Sequence, residues 1–176
     1  QEELSESIAS FHRALQIQPR FAEAEYNLGK ALARQGKVKQ AAEHYVAAKE
    51  IDPTLAQPWN DLGNISAKEG RLEEAIKCYR EAIRLAPRYA RAHYNLGNVL
   101  LTSGEIDEAV EALRVAERLS PDTARTHFAL ATALHQQGRL DEANSEYRKT
   151  LAIEPQHIQA RQALQALNDQ SRSGRP

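Results

Sequence analysis

The stretch "AQPWNDLGNISAKEGRLEEAIKCYREAIRLAP", Ala56 to Pro87, follows directly on a near copy of itself, "AEAEYNLGKALARQGKVKQAAEHYVAAKEIDP", Ala22 to Pro53, across Thr54 and Leu55. Outward from this pair the punctuation continues. Pro19, Pro53, Pro87, Pro121 and Pro155 fall 34 residues apart, and Gly36, Gly70, Gly104 and Gly138 keep the same step. Leu28-Gly29, Leu62-Gly63 and Leu96-Gly97 recur in phase, with Leu130-Ala131 as an altered fourth copy. Ala41, Ala75, Ala109 and Ala143 form a second small-residue column, and Ala48, Ala82 and Ala116 a third that ends in Thr150. Small residues at fixed phase predict close helix contact.

Inside each copy the apolar spacing is helical. Leu62, Ile65 and Ala67 mark one stretch; Leu72, Ala75, Ile76, Tyr79, Ala82, Ile83 and Leu85 mark the next. Each unit is therefore two helices. Gly70 and Gly138 stand just past the first helix, where a left-handed residue costs glycine no Cβ clash. Glu73-Glu74, Asp107-Glu108 and Asp141-Glu142 open the second helix, on the side where the helix dipole favours negative charge. Proline then ends it, having no N–H to continue the ladder.

With Trp59, Leu62-Gly63, Ala75, Tyr79 and Pro87 in these positions, the chain resembles the tetratricopeptide repeat family. The resemblance implies an all-α, right-handed superhelical solenoid of helix-turn-helix repeats. Full repeats are expected at 22–55, 56–89, 90–123 and 124–157, after a partial repeat at 1–21 that supplies only a second helix. Residues 158–169 read as a polar capping helix, with Arg161 and Gln165 where Trp and Gly belong, and 170–176 as a disordered tail. Some columns depart from the family pattern. The Trp column reads Glu25, Trp59, His93, His127, the next aromatic column Leu32, Ser66, Leu100, Leu134, and the second-helix aromatic Tyr45, Tyr79, Leu113, Tyr147. Lighter interhelical packing than the family norm is expected.

Composition bounds the rest. Over 176 residues, 23 Lys and Arg against 24 Asp and Glu give a net charge of −1, which provides no overall field to collect nucleic acid. No apolar run approaches the roughly 18 residues of a membrane span, so membrane insertion is not expected. Cys78 is the sole cysteine and has no neighbour at metal-ligand spacing; a reducing cytoplasm is favoured. The absence of Met, even at position 1, suggests that the natural N-terminus lies upstream. In "LSESIASFHRALQI" (4–17) the missing partner helix is expected to expose Ile8, Phe11 and Leu15, so that either the parent chain continues upstream or this helix docks on another copy as a homo-oligomer.

The family resemblance implies protein–protein interaction, with an extended or helical peptide captured on the concave face formed by the first helices. The residues opposite the Leu-Gly stripe of those helices are mixed aromatic, amide and cationic. Five cations (Lys30, Arg34, Lys68, Arg91, Arg125) face two anions (Glu23, Asp61), which predicts an acidic or carboxylate-bearing peptide. The candidate peptide-binding residues are Tyr26, Asn27, Lys30, Asn60, Asn64, Arg91, Tyr94, Asn95, Asn98, Arg125 and Phe128. Asn side chains offer a donor and an acceptor to a peptide backbone, while Tyr26, Tyr94 and Phe128 are expected as exposed apolar contacts. Chaperone-binding members of the family clamp a terminal carboxylate with five residues. Asn64, Asn95 and Arg125 match three of these positions, but Asn60 and Ala129 stand at the other two, so the resemblance does not extend to chaperone-tail specificity.

No nucleophile with a base, phosphate-binding Gly loop or paired carboxylates appear, so no catalytic residue, metal or cofactor is expected. His93 and His127 replace a packing aromatic and read as core or rim residues. Two other readings stay open. The array could be the targeting module of a larger enzyme such as a repeat-bearing glycosyltransferase, or a self-assembly element.

Overall fold

The computed structural model describes residues 2–173, and among them every regular element is a helix. In chain order these are α1 (Glu2–Ile17), α2 (Ala22–Arg34), α3 (Val38–Ile51), α4 (Ala56–Lys68), α5 (Leu72–Leu85), α6 (Ala90–Ser103), α7 (Ile106–Leu119), α8 (Ala124–Gln136), α9 (Leu140–Ile153) and α10 (Ile158–Ser173). The fold is an all-α helical-repeat solenoid, and the chain divides into two compact units, Gln1–Pro87 and Arg88–Pro176.

The turns follow from the glycines. At the end of α6, Gly104 takes φ 86°, the left-handed region, so its own N–H reaches the Leu101 carbonyl at 3.3 Å and the next N–H, of Glu105, reaches Leu100 at 2.9 Å. These two bonds satisfy carbonyls that the helix end would otherwise leave unpaired. The same pair recurs after α8, with Arg139 bonded to Leu134 and Gly138 to His135, each at 2.9 Å. The prolines act by a different route. Asp52 precedes Pro53 with φ −129° and ψ 96°, the extended conformation that a following proline ring imposes, and α3 stops at Ile51.

In the first unit, α2 and α3 enclose Leu28, Leu32, Ala41 and Tyr45, with α4 contributing Leu62 and Ile65. The expected exposure of Ile8, Phe11 and Leu15 is not found: all three are half-buried against this cluster, because α1 packs on α2 as any second helix packs on the following repeat. Ile17, at the end of α1, is the large apolar side chain left outside, 86% exposed. In the second unit the core runs from Val110 and Leu113 through Leu130, Leu134 and Tyr147 to Ala160 and Leu167 of α10. The cap therefore contributes an apolar face as well as a polar one. It also runs past residue 169 to Ser173 as helix, where a tail was expected; residues 174–176 of that tail lie outside the described residues.

The small-residue columns pack as their phase requires. Ala41, Ala75, Ala109 and Ala143 have no exposed surface, and a Cβ added at Gly63 would lie 2.7 Å from Tyr79 Cε1. Thr150 ends its column without penalty, because its buried hydroxyl donates to the Glu146 carbonyl at 3.0 Å. Cys78 is buried, and burial pushes its thiol above the ordinary value.

Burial also raises the Tyr45 and Tyr79 hydroxyls far above the usual tyrosine range, with the Asp61 carboxylate adding to both and Cys78 to Tyr79. The folded protein thus holds protons that the unfolded chain releases at about pH 10. Stability from these groups is complete below that pH and lost as pH rises above it. We expect the melting temperature to fall through this window, and the Tyr45→Phe/Tyr79→Phe variant to lose less of its own over the same range. Parallel curves for the two proteins would refute the assignment.

Candidate functional site

Five of the candidate residues belong to the first unit, where they are largely engaged with one another. Tyr26 on α2 donates its hydroxyl to Asp61 Oδ2 at 3.0 Å, and Asp61 Oδ1 accepts from Asn60 at 3.0 Å and Asn64 at 3.3 Å on the same helix α4. Asn64 Oδ1 in turn accepts from the Tyr79 hydroxyl of α5 at 2.9 Å. Lys30 sits 5.2 Å from the Tyr26 ring centroid. Asn27 and Tyr26 are half-buried. The Asp61 carboxylate ties α2 to α4, and the Asn64 amide ties α4 to α5.

Asn60 must be corrected: it has no exposed surface and offers nothing to a ligand. Its column is otherwise Tyr26, Tyr94 and Phe128, all half-buried. Those long rings extend to the surface from the position at which a short amide stays inside.

The second unit is built differently. A depression of about 410 Å³ lies between α6 and α8, walled by Tyr94, Phe128 and His157, with Asn98 and Thr132 along it and Arg125 at its edge. Arg125 lays its guanidinium 5.1 Å from the centroid of Tyr94. Phe128 is fixed by Tyr147 behind it, ring centroids 5.9 Å apart, and by His157 at 4.6 Å. Asn98 donates to the Tyr94 carbonyl at 3.0 Å, which leaves its amide oxygen for another partner, and Thr132 donates to the Phe128 carbonyl at 2.9 Å while also hydrogen-bonding with the Tyr147 side chain.

A second hollow of about 270 Å³ shares Tyr94 and Arg125 as its wall and adds Arg91, Ser120, Thr123 and Thr126. No acidic side chain lines either hollow. Neither Arg91 nor Arg125 has an ion-pair partner among the described residues. Asn95 is half-buried on α6 and lines neither hollow.

His93 and His127 are both buried. His127 lies in the densest cluster of charge: its Nδ1 faces Glu146 Oε2 at 2.7 Å and Glu117 Oε1 at 3.7 Å, and its Nε2 faces the Pro121 carbonyl at 2.6 Å. Lys149 bridges the two carboxylates, 2.7 Å from Glu146 and 3.0 Å from Glu117. One ligand atom from each of Glu117, His127 and Glu146 lies within 4.8 Å of the others, a set that spacing within repeats does not reveal. A metal ion would have to displace Lys149 from both carboxylates. In the first full repeat the same two positions, 19 residues apart, hold the reverse pair, with His44 Nδ1 2.6 Å from Glu25 Oε2. Hydrogen-bonded charge thus replaces the aromatic packing of the Trp column in both repeats.

Among the lining residues that sequence reasoning missed are His157 and Gln159. Gln159 lies beyond the last repeat and His157 is the final residue of that repeat, although Gln159 continues the column Glu23, Gln57, Arg91, Arg125 and His157 stands 34 residues after Thr123. Carrying the Arg125 column into the cap reaches Gln159.

Residues 1–168 match the family model of the cilia and flagella-associated protein 70 C-terminal domain. No curated protein matches the chain. Among solved structures it is similar to YrrB, a tetratricopeptide repeat protein with an unusual peptide-binding site, at TM-score 0.83 and 22% identity, covering 93% of this chain and 84% of that one. MamA is similar at TM-score 0.74 and 28% identity, covering 86% and 89% of the two chains. PilF of Pseudomonas aeruginosa is similar at TM-score 0.82 and 22% identity, covering 96% and 83%.

Proposed function

We propose, on the premise that the chain belongs to the family of the cilia and flagella-associated protein 70 C-terminal domain, a tetratricopeptide repeat family, that this scaffold holds an acidic or carboxylate-bearing peptide. The observation that carries the reading is the pair Arg91 and Arg125, two guanidinium groups without carboxylate partners beside hollows that contain no acid. An arginine stacked on a ring is preorganised, so less freedom is lost when a carboxylate docks on its outer edge. YrrB, similar in fold, is itself a peptide-binding protein, which agrees with this use of the architecture. The role is binding rather than catalysis. In the His127–Glu146 cluster both side chains are buried and already engaged, by Lys149 and a backbone carbonyl.

In a peptide-display selection the wild-type protein is expected to enrich acidic sequences. The Arg91→Glu/Arg125→Glu variant is expected to lose that enrichment while its circular dichroism stays unchanged, since both side chains are exposed. Enrichment that survives the double reversal would place the peptide elsewhere.

A further inference from the structure

The two hollows of the second unit differ in chemistry and share a wall. The larger is ringed by Tyr94, Phe128 and His157. At about 410 Å³ it falls within the roughly 300–1,000 Å³ of ligand pockets, and its walls of ring suit an aromatic occupant that can pack edge or offset against them. His157 adds a polar feature. Its Nδ1 accepts the Ala160 backbone N–H at 3.2 Å, so the proton of the neutral ring resides on Nε2 as a donor. The smaller hollow offers Arg91 and Arg125 together with the hydroxyls of Ser120, Thr123 and Thr126, all groups that can donate to an anion. Between the two lies a single layer, the stacked Tyr94–Arg125 pair.

We propose that these hollows read one short motif in an extended peptide: an aromatic side chain in the Tyr94–Phe128–His157 hollow, and the side-chain carboxylate of the residue two places away on Arg125 and Arg91. The spacing follows from strand geometry. Side chains at i and i+2 point to the same side of an extended chain about 7 Å apart, whereas those at i and i+1 point to opposite sides. One stacked layer is the separation that i and i+2 span. The Asn98 amide oxygen and the Thr132 hydroxyl then border the path of the peptide backbone. This inference rests on the peptide-binding reading above and gives it a sequence.

The test uses end-capped Gly-Ser peptides, so that no terminal carboxylate takes part, titrated into isotope-labelled full-length protein and followed by backbone amide shifts. The probes carry Phe-Ser-Glu or Glu-Ser-Phe, with Phe-Ser-Gln, Ala-Ser-Glu and the contiguous Phe-Glu as controls. At least one of the first two is expected to bind about tenfold more tightly than every control. Its shifts should fall on α6, α8 and the first turn of α10. In Arg125→Gln, an exposed change that leaves the core untouched, the preference for Glu over Gln should disappear. Equal binding of probes and controls, or shifts centred elsewhere, would overturn the motif. If these probes fail while display selection yields an acidic binder lacking the motif, the inference falls and the scaffold reading stands. Failure of both would remove the reading itself.

Discussion

Gly97→Val is expected to destabilise the second unit by about 3 kcal/mol, at the upper end of overpacking penalties. A Cβ at Gly97 would meet Leu113 Cγ at 2.5 Å, Cδ2 at 2.9 Å and Cδ1 at 3.2 Å. The first of these is a branch carbon near the backbone and cannot swing aside, and Leu113 has no exposed surface toward which to move. Valine adds two further methyl groups, and the helix propensity recovered by removing a glycine, up to about 1 kcal/mol, does not offset them. The decisive measurement is a double-mutant cycle by urea unfolding. Leu113→Ala alone should cost about 3 kcal/mol through the cavity it leaves, and the double variant should cost clearly less than the sum, because the valine occupies part of that cavity. Strict additivity would mean that the two positions do not share the space. The fourth repeat shows that the problem has a solution: Ala131 already carries a Cβ opposite Tyr147, and both are buried.

His127→Ala is expected to cost a similar amount, about 3 kcal/mol, by a different physical route. The ring places a nitrogen against an acceptor on each side, the Glu146 carboxylate and the Pro121 carbonyl. Removing it leaves the carbonyl without that donor and returns the two carboxylates to Lys149 alone. Glu146 is itself buried, and a buried carboxylate that loses one of its hydrogen-bond partners bears part of its desolvation cost. His127→Phe separates the contributions, because it refills the volume and restores the aromatic of the repeat pattern while supplying no hydrogen bond. If His127→Phe proves as stable as the wild type in urea, the polar contacts contribute nothing net and the position is one of packing alone.

These two sites mark the line between what the sequence discloses and what it does not. Gly97 was legible because its role repeats: Gly29, Gly63 and Gly97 each face the second-helix residue sixteen places on, and periodicity carries the message. His127 was legible only as a departure from the pattern. Its partners Glu146 and Glu117 come from two other helices, and a pairing that recurs only once, with acid and base exchanged, does not show as a column of one residue type. The candidate site divides in the same way. Arg125, Tyr94 and Phe128 were found because their two columns face outward, and the structure brings all three to one hollow. Asn60 shares the Tyr94 and Phe128 column but ends short of the surface, so its length, invisible to a positional reading, removes it. Gln159 lies past the last repeat and His157 ends it, both outside the first helices whose columns carry the candidate residues, although the two supply part of the wall.

The reversed pairs at the Trp position limit how such an array can be rearranged. The first full repeat sets Glu25 against His44, and the fourth sets His127 against Glu146, acid and base having changed places. A hybrid repeat made by recombining α2 with α9 would bring Glu25 and Glu146 face to face; α8 with α3 would oppose two histidines. Crossovers between whole repeats keep each pair intact, and crossovers at the intervening turn destroy it. The heritable module of this protein is therefore the matched pair of helices, and a designer who shuffles it should cut at the prolines rather than at the glycines.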